Sequence, residues 1–311
     1  MLDSFLSPII ISSTIRLTTP ILLIAIGGSF GQKARVLNIG LESFTLISAF
    51  FAMFGSYLFE SAIIGLLFGV TSGIIASCVF ALFVLYFKSN PIITGIALNL
   101  SAWGFTTFLL DLNFGVRGVF MSPRIKSFPI IQIPFIKDIP YLGSILSGYN
   151  ILVYFAFIMV AVMWVVMYKT PFGLRLRGVG IKEVAAQTVG VHTIKYKTIA
   201  ILLGGLFAGV AGSFLSIGGA SMFTENMSDG KGFLALAAIM VGDGNPFLVF
   251  LAALVFGYTS ALSVNLQALN IPSQIVLAVP YVITILILFS STMFMKYKYL
   301  FKRTNKVKMT S

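Results

Sequence analysis

Long apolar stretches separated by short polar segments repeat along almost the whole chain of 311 residues. A helix of about 20 apolar residues spans the hydrocarbon core of a bilayer, because each helical residue adds about 1.5 Å. Hydrophobic residues make up 58% of the chain and charged residues only 10%, far below the charge content of a soluble domain. We therefore expect an all-α polytopic membrane protein, a single transmembrane domain over residues 1–311 with about 8–10 transmembrane helices. The apolar windows lie at 12–30, 36–56, 61–87, 91–110, 148–169, 198–219, 246–266 and 273–295.

A shorter apolar piece, 232–242, runs into the sequence GDGNP. Its eleven residues would cover only about half of the hydrocarbon core as a helix. We therefore expect at least one broken or re-entrant segment at this point of the chain.

Basic residues collect in two places, the loop 169–197 and the tail 296–311. Lys and Arg accumulate in the cytoplasmic loops of membrane proteins, so we expect both segments in the cytoplasm and the chain in the cell membrane. An even number of crossings must then separate them, which requires the piece at 232–242 to cross at least in part. The same count places the loop 111–147 outside, as a packed cap with room for one short helix. Topology thus explains the net charge of +12 without a nucleic-acid partner.

The sequence lacks the residue patterns of the common enzyme sites. It has one histidine, His192, and one cysteine, Cys78, so no His/Cys cluster can hold a metal. G-x-S-x-G occurs once, as GGSFG at 27–31, but it ends an apolar window and does not have the strand-to-helix turn that a nucleophilic serine needs. The ATP-binding pattern G-x-x-x-x-G-K-[ST] does not occur. We expect no catalytic residue, no metal and no cofactor in this chain.

Glycine and other small residues recur every four positions in two of the windows. One series runs through Gly65, Gly69, Gly73 and Ser77, and a second lies around Gly204 and Gly212. Small residues on one helical face allow two helices to approach closely in lipid. We interpret both series as packing faces.

Three polar residues fall inside apolar windows. Asn38 and Glu42 are four residues apart, which predicts one shared helical face, and Asn99 lies in the window 91–110. An ionisable group inside a membrane span is costly and often functional. The alternative for both Glu42 and Asn99 is a hydrogen bond between helices, and for Glu42 also an ion pair with a basic neighbour at the inner rim. The sequence leaves these alternatives open.

The segment SMFTENMSDGKGF, residues 221–233, is a further polar place between apolar segments. Broken helices in transporters present polar groups to the solute, and aromatic rings beside amides suit a flat or sugar-like molecule. The alternative is an ordinary external loop. The candidate pathway residues are Asn38, Glu42, Asn99, Phe223, Glu225, Asn226 and Phe233.

Three segments resemble, in order and spacing, the membrane permeases of ABC importers for branched-chain amino acids and simple sugars. They are ILLIAIGGSFGQKARVLNIGLESF (21–44), FGLRLRGVGIKEVAAQTVGV (172–191) and FTENMSDGKGFLALAAIMVGDGNP (223–246). Within that class the resemblance is strongest to nucleoside permeases. Three positions depart from the family: Ser43 stands where glycine is usual, and Asp243 and Gly244 stand where a basic residue and tryptophan are common.

The resemblance implies that 172–191 is a cytoplasmic coupling helix that docks into a groove of a separate ABC ATPase subunit. Small alanines would keep such a helix slim, and its arginines could hold it at the membrane or on an acidic partner. The alternative is an amphipathic linker lying on the lipid headgroups. The implied coupling residues are Gly173, Arg175, Arg177, Gly180, Glu183, Ala185, Ala186 and Gly190.

The resemblance also implies the other parts of the importer. ATP and Mg²⁺ would be bound by the partner ATPase, a second, non-identical permease subunit would complete the pathway, and an extracytoplasmic solute-binding lipoprotein would deliver the solute. The implied solute is a nucleoside, with a simple sugar such as ribose or galactose as the alternative. A secondary transporter using Glu42 as an ion site and a membrane enzyme are rival classes.

Overall fold

The structure is a computed structural model that describes residues 7–132, 147–267 and Val282. In these ranges the chain is built almost entirely of helices. The α-helices are α1 (Pro8–Lys33), α2 (Leu41–Phe59), α3 (Ala62–Ala81), α4 (Pro91–Phe114), α5 (Ile151–Lys169), α6 (Pro171–Ile181), α7 (Glu183–Thr188), α8 (Thr193–Ile217), α9 (Lys231–Val241) and α10 (Pro246–Gln267). A π-helical turn, Leu82–Tyr86, continues α3, and the short strands are β1 (Val119–Met121), β2 (Ile130–Ile131), β3 (Tyr149–Asn150) and β4 (Met222–Thr224).

Seven of the described helices are long and apolar enough to cross a membrane: α1, α2, α3 with its π-turn, α4, α5, α8 and α10. They correspond to seven of the eight apolar windows, which confirms a polytopic α-helical membrane protein. The eighth window, 273–295, lies outside the described residues apart from Val282. Helix α9 has eleven residues, fewer than a full crossing needs, as the sequence predicts for a broken segment. That it crosses the membrane in part stays a prediction.

Several of these helices begin directly after a polar N-cap residue. Side chains of Ser7, Asn90, Asn150 and Thr170 accept hydrogen bonds from backbone amides in the first turns of α1, α4, α5 and α6. Proline follows three of these caps, where its missing N–H costs no hydrogen bond. The ends of the helices are therefore encoded locally.

The small residues of α3 and α8 pack these two helices against each other. A Cβ on Gly73 would lie 2.5 Å from the Gly205 carbonyl oxygen, and one on Gly69 would overlap the Ser213 hydroxyl. Two turns farther along α8, a Cβ on Gly212 would lie 2.3 Å from a carbonyl oxygen of α2. Side chains larger than hydrogen would push the helices apart, which confirms that these faces are packing faces.

Helix α2 begins later than its apolar window, at Leu41. Helix α1 ends with Arg35 in the left-handed conformation and the Val36 amide bonded back to the Gly31 carbonyl, a Schellman-type ending. Asn38 therefore lies in a non-helical turn, where its Oδ1 accepts a hydrogen bond from the Gly40 amide at 3.0 Å. The prediction that Asn38 shares a helical face with Glu42 is wrong for this reason.

Two antiparallel strand pairs close one end of the bundle, which we call the strand end. Strand β1 pairs with β4 so that Phe120 faces Phe223, and β2 pairs with β3. Phe223 is fully buried and meets Phe50 of α2 edge to face, with ring centroids 5.4 Å apart. The described part of the loop 111–147 thus caps the bundle through strands, and residues 133–146 lie outside the described ranges.

Candidate transport pathway and coupling surface

The carboxylate of Glu42 binds the start of the short helix α9. It accepts hydrogen bonds from the Ser228 hydroxyl, from the Gly230 amide at 2.9 Å and from the Gly232 amide at 2.6 Å. Glu42 is only 6% exposed, so its charge is held by these donors and by the positive end of the α9 dipole. These contacts favour the interhelical alternative for this residue.

The far end of α9 is tied to α1. Asp243 forms an ion pair with Lys33 at 3.4 Å, although the aspartate side chain is 82% exposed. Between the two ends, a Cβ on Gly28 of α1 would lie 2.5 Å from the side chain of Ile239. The short helix is therefore held at its start, middle and end by α1 and α2.

Asn99 bridges α4 to the turn that precedes α2. Its Oδ1 accepts a hydrogen bond from the Ser43 amide at 3.0 Å, and its Nδ2 donates one to the Ile39 carbonyl at 3.2 Å. Asn38 is 5% exposed in the same turn. The side-chain amides of Asn38 and Asn99 thus both form hydrogen bonds within the chain. For Asn99 these bonds favour the interhelical alternative.

The remaining candidate pathway residues, all from the segment 221–233, lie in different places in the structure. Phe223 is buried in the strand end, Asn226 is exposed in the turn after β4 with a φ of 55°, and Phe233 is 44% exposed on α9. Glu225 joins β4 to the segment before β1, because its amide donates to the Gly118 carbonyl and its Oε1 accepts from the Gly118 amide, both at 2.8 Å.

Glu225 is the one predicted pathway residue that lines the large open cleft beside α4. The cleft has a volume of about 850 Å³ and extends from the middle of α4 to the strand end. At its rim Asp111 and Arg117 form an ion pair at 2.9 Å. Sequence reasoning missed the α4 side of this cleft, although Asp111 is a carboxylate at the end of an apolar window. The lining residues are Leu100, Trp103, Gly104, Thr107, Phe108, Asp111, Arg117, Gly118 and Glu225.

The segment 172–191 lies at the other end of the bundle and forms two helices instead of one. Lys182, with a φ of −153° and a ψ of 99°, is extended and separates α6 from α7. Gly173 allows α6 to turn tightly after α5, since its Cβ would lie 2.3 Å from the Val166 carbonyl oxygen. A Cβ on Gly180 would lie 2.0 Å from the Lys33 carbonyl oxygen, so α6 packs directly on the end of α1.

Charged side chains fix α6 and α7 to their neighbours. Arg175 donates to the Tyr196 hydroxyl at 3.2 Å, and the guanidinium of Arg177 lies 4.7 Å from the centre of the Tyr168 ring. Glu183 forms an ion pair with Lys197 of α8 at 2.7 Å. The hydrogen bond from Lys197 lowers the pKa of the Glu183 carboxyl. The Glu183–Lys197 pair thus links α7 to the first turns of α8.

The outer surface of α6 and α7 carries exposed apolar side chains. Ile181 is 85% exposed, Val184 67% and Val189 77%. Ala185 is also exposed, whereas Ala186 faces the chain itself and is 7% exposed. Gly190, with a φ of 82°, turns the chain away after α7. We call the surface of Ile181, Val184, Ala185 and Val189 the α7 surface.

Across the described ranges 7–132 and 147–267, no three His, Cys, Asp or Glu side chains come together in a group that could hold a metal ion.

Comparison with known proteins decides the family. Residues 10–288 match the model of the family described as the permease component of branched-chain amino acid transport systems. The chain belongs to this permease family. A permease component forms a transport path and is not an enzyme, as we expect from the sequence.

Three curated relatives of the permease carry related names. The guanosine ABC transporter permease protein NupQ of Bacillus subtilis (strain 168) is 33% identical over 90% of this chain and 91% of its own length. The nucleoside ABC transporter permease protein NupC of Lactococcus lactis subsp. cremoris (strain MG1363) is 32% identical over 90% of this chain and 91% of its own. NupB, a second nucleoside ABC transporter permease protein of that strain, is 24% identical over 86% of this chain and 75% of its own.

Proposed function

We propose that this permease forms the membrane pathway of an ABC importer for nucleosides. The observation that carries the proposal is the 33% identity to a guanosine permease over nine tenths of the chain. The family match over residues 10–288 includes the short helix α9 and the two-helix segment α6–α7.

The α7 surface is the docking surface for the ATPase. Apolar side chains as exposed as Ile181 and Val189 are costly in water and suit a protein groove. Basic residues of 169–197 place this end of the bundle in the cytoplasm, with the tail 296–311, where ATP and Mg²⁺ would be bound by the partner. Gly173 and Gly180 allow α6 to pack closely on α5 and α1. Arg177 contacts α5, and Arg175 and Glu183 bind residues of α8.

The second permease subunit is non-identical to this chain. NupB and NupC are two nucleoside permease proteins of one strain, and this chain is similar to both of them. The strand end is then extracytoplasmic, and a solute-binding lipoprotein docks there. ATP binding moves the coupling segment between two states, and the Glu183–Lys197 pair carries that movement into α8.

The secondary-transporter alternative needs Glu42 as an ion site. The three donors already bound to the Glu42 carboxylate oppose this use. A nucleoside is also preferred to a sugar because the relatives at 33% and 32% identity are guanosine and nucleoside permeases, whereas a putative glucose ABC transporter permease protein of Haloferax volcanii is 29% identical over 84% of this chain.

Energised uptake in cells with and without the chain tests the proposal. Labelled guanosine and adenosine are compared with labelled ribose, and ATP is depleted in a parallel sample while the ion gradients are held. We expect loss of nucleoside uptake both without the chain and without ATP, with ribose uptake unchanged. Ribose uptake that disappears instead would assign the permease to sugars, and uptake that survives ATP depletion would contradict an ABC importer.

A further inference from the structure

One face of α4 differs from an ordinary lipid-facing surface. Of the seven candidate spans α4 has the smallest buried share, 22%. Positions 100, 103, 104, 107, 108 and 111 follow one another at spacings of three and one, so they lie on a single helical face, and all of them line the cleft. This face combines rings, a glycine, a hydroxyl and a carboxylate, whereas lipid favours apolar side chains throughout.

The polar groups of this face are placed to receive a ligand. Thr107 lines the cleft with its apolar atoms, because its hydroxyl is buried. Farther along, Asp111 and Arg117 neutralise each other at the rim. Two large rings, Trp103 and Phe108, stay 50% and 60% exposed beside these groups.

We propose that this α4 face is the solute-binding wall of the pathway and that a nucleoside lies against it. This inference rests on the proposed function. A cleft of about 850 Å³ has the size of a small-molecule site. Trp103 and Phe108 stack on the flat base, while Asp111 and Arg117 hydrogen-bond to the hydroxyls of the sugar.

Asp111, Arg117 and Glu225 together give the rim one excess negative charge, which disfavours an anionic solute and suits an uncharged nucleoside, to which the Asp111–Arg117 pair offers both donors and acceptors. The open side of the cleft is closed by the second permease subunit, so the solute passes between the two chains. Entry is from the strand end, where the cleft meets Gly118 and Glu225.

Labelling of introduced cysteines tests whether the α4 face is accessible to water. In the full transporter in membrane vesicles, with Cys78→Ser as background, Gly104→Cys and Thr107→Cys are compared with Phe105→Cys. Phe105 is a matched control, since it is 47% exposed on the same helix but does not line the cleft. We expect a charged, membrane-impermeant methanethiosulfonate reagent to label positions 104 and 107 at least about tenfold faster. Equally slow labelling at all three positions would overturn the proposal.

Uptake measurements test solute contact. We expect Trp103→Ala to reduce the maximal rate of guanosine uptake about tenfold, as loss of a stacking ring does, while Trp103→Phe retains most of it. Phe105→Ala serves as the control and leaves uptake unchanged. Normal guanosine uptake in Trp103→Ala would overturn the proposal and leave the importer function intact.

The two proposals fail in different ways. If the wild-type transporter carries ribose and no nucleoside, the proposed substrate is wrong. The same labelling and the same Trp103 variants, assayed with ribose, then decide whether the α4 face is the binding wall.

Discussion

The amide of Gly232 donates a hydrogen bond to Oε2 of Glu42 at 2.6 Å, across 190 positions of the sequence. The two residues are so close that a Cβ on Gly232 would lie 2.6 Å from the Glu42 Cα. The contact fixes the start of α9 on the start of α2 and leaves no room for a side chain.

Adding one methyl group at this contact is expected to destabilise the permease. Gly232→Ala forces the new methyl group against the backbone of Glu42. We expect the free energy of unfolding to fall by about 1–3 kcal/mol, seen as a lower Tm of the purified transporter. Gly178→Ala is the control, because a Cβ there meets nothing within 4 Å and a helix-interior alanine is favourable. Equal Tm values for Gly232→Ala and the wild type would contradict the described contact.

Removing the Glu42 charge tests the hydrogen bonds that its carboxylate accepts at the start of α9. Glu42→Gln keeps the size of the side chain but places an NH₂ group where an oxygen now accepts a hydrogen bond. We expect a loss of about 1.5–3 kcal/mol in stability and a fall in uptake, since a hydrogen bond to a charged group is lost. Thermal unfolding and uptake are measured together, and a variant that loses uptake at the wild-type Tm would point to a direct role in transport.

The α7 surface is expected to bind the ATPase through exposed residues. Val184→Asp should abolish co-purification of the ATPase and uptake while leaving the Tm of the permease unchanged, because Val184 is 67% exposed. Val184→Leu keeps an apolar surface and serves as the matched control. Ala186→Asp is a poorer test of docking, because Ala186 is buried within the chain. Normal ATPase association of the Val184→Asp transporter would refute this assignment.

The ion pair between Glu183 and Lys197 gives a pH-dependent contribution. Because the pKa of Glu183 lies below its ordinary value of 4.5, the pair stabilises the fold at pH values above 4.5 and loses its effect as the pH falls below that value. The Glu183 side chain is 42% exposed, so we expect at most about 1 kcal/mol at neutral pH.

Glu183→Gln is therefore expected to unfold at a slightly lower temperature than the wild type at pH 7, and the difference should shrink as the pH falls through the lowered pKa of Glu183. Thermal scans over a series of pH values from 7 downwards measure the difference. A Tm gap that stays constant over the whole series would show that the carboxylate charge is not its source.

Local patterns predicted the helices because the length of an apolar run and the caps at its ends act on nearby residues. Seven apolar windows became helices of spanning length, and the piece at 232–242 became the eleven-residue helix α9. The four-residue repeats around Gly69 and Gly73 predicted a packing face for the same reason, since helical periodicity is a local property.

The roles of individual polar residues could not be predicted in this way. Glu42 and Asn99 both looked like pathway residues, but each meets its partners across 56 or more positions of the chain. Ala185 and Ala186 are adjacent and identical in type, yet one faces outward and the other inward. These choices depend on contacts between distant segments.

The sequence by itself therefore determined the class of protein, the lengths of its helices and the family, because hydrophobic length and short motifs carry that information. Only the tertiary structure decided that Glu42 anchors α9 and that the cleft lies along α4. The physical reason is that burial and hydrogen bonding of a polar side chain are set by the helices packed around it, such as the start of α9 against the start of α2.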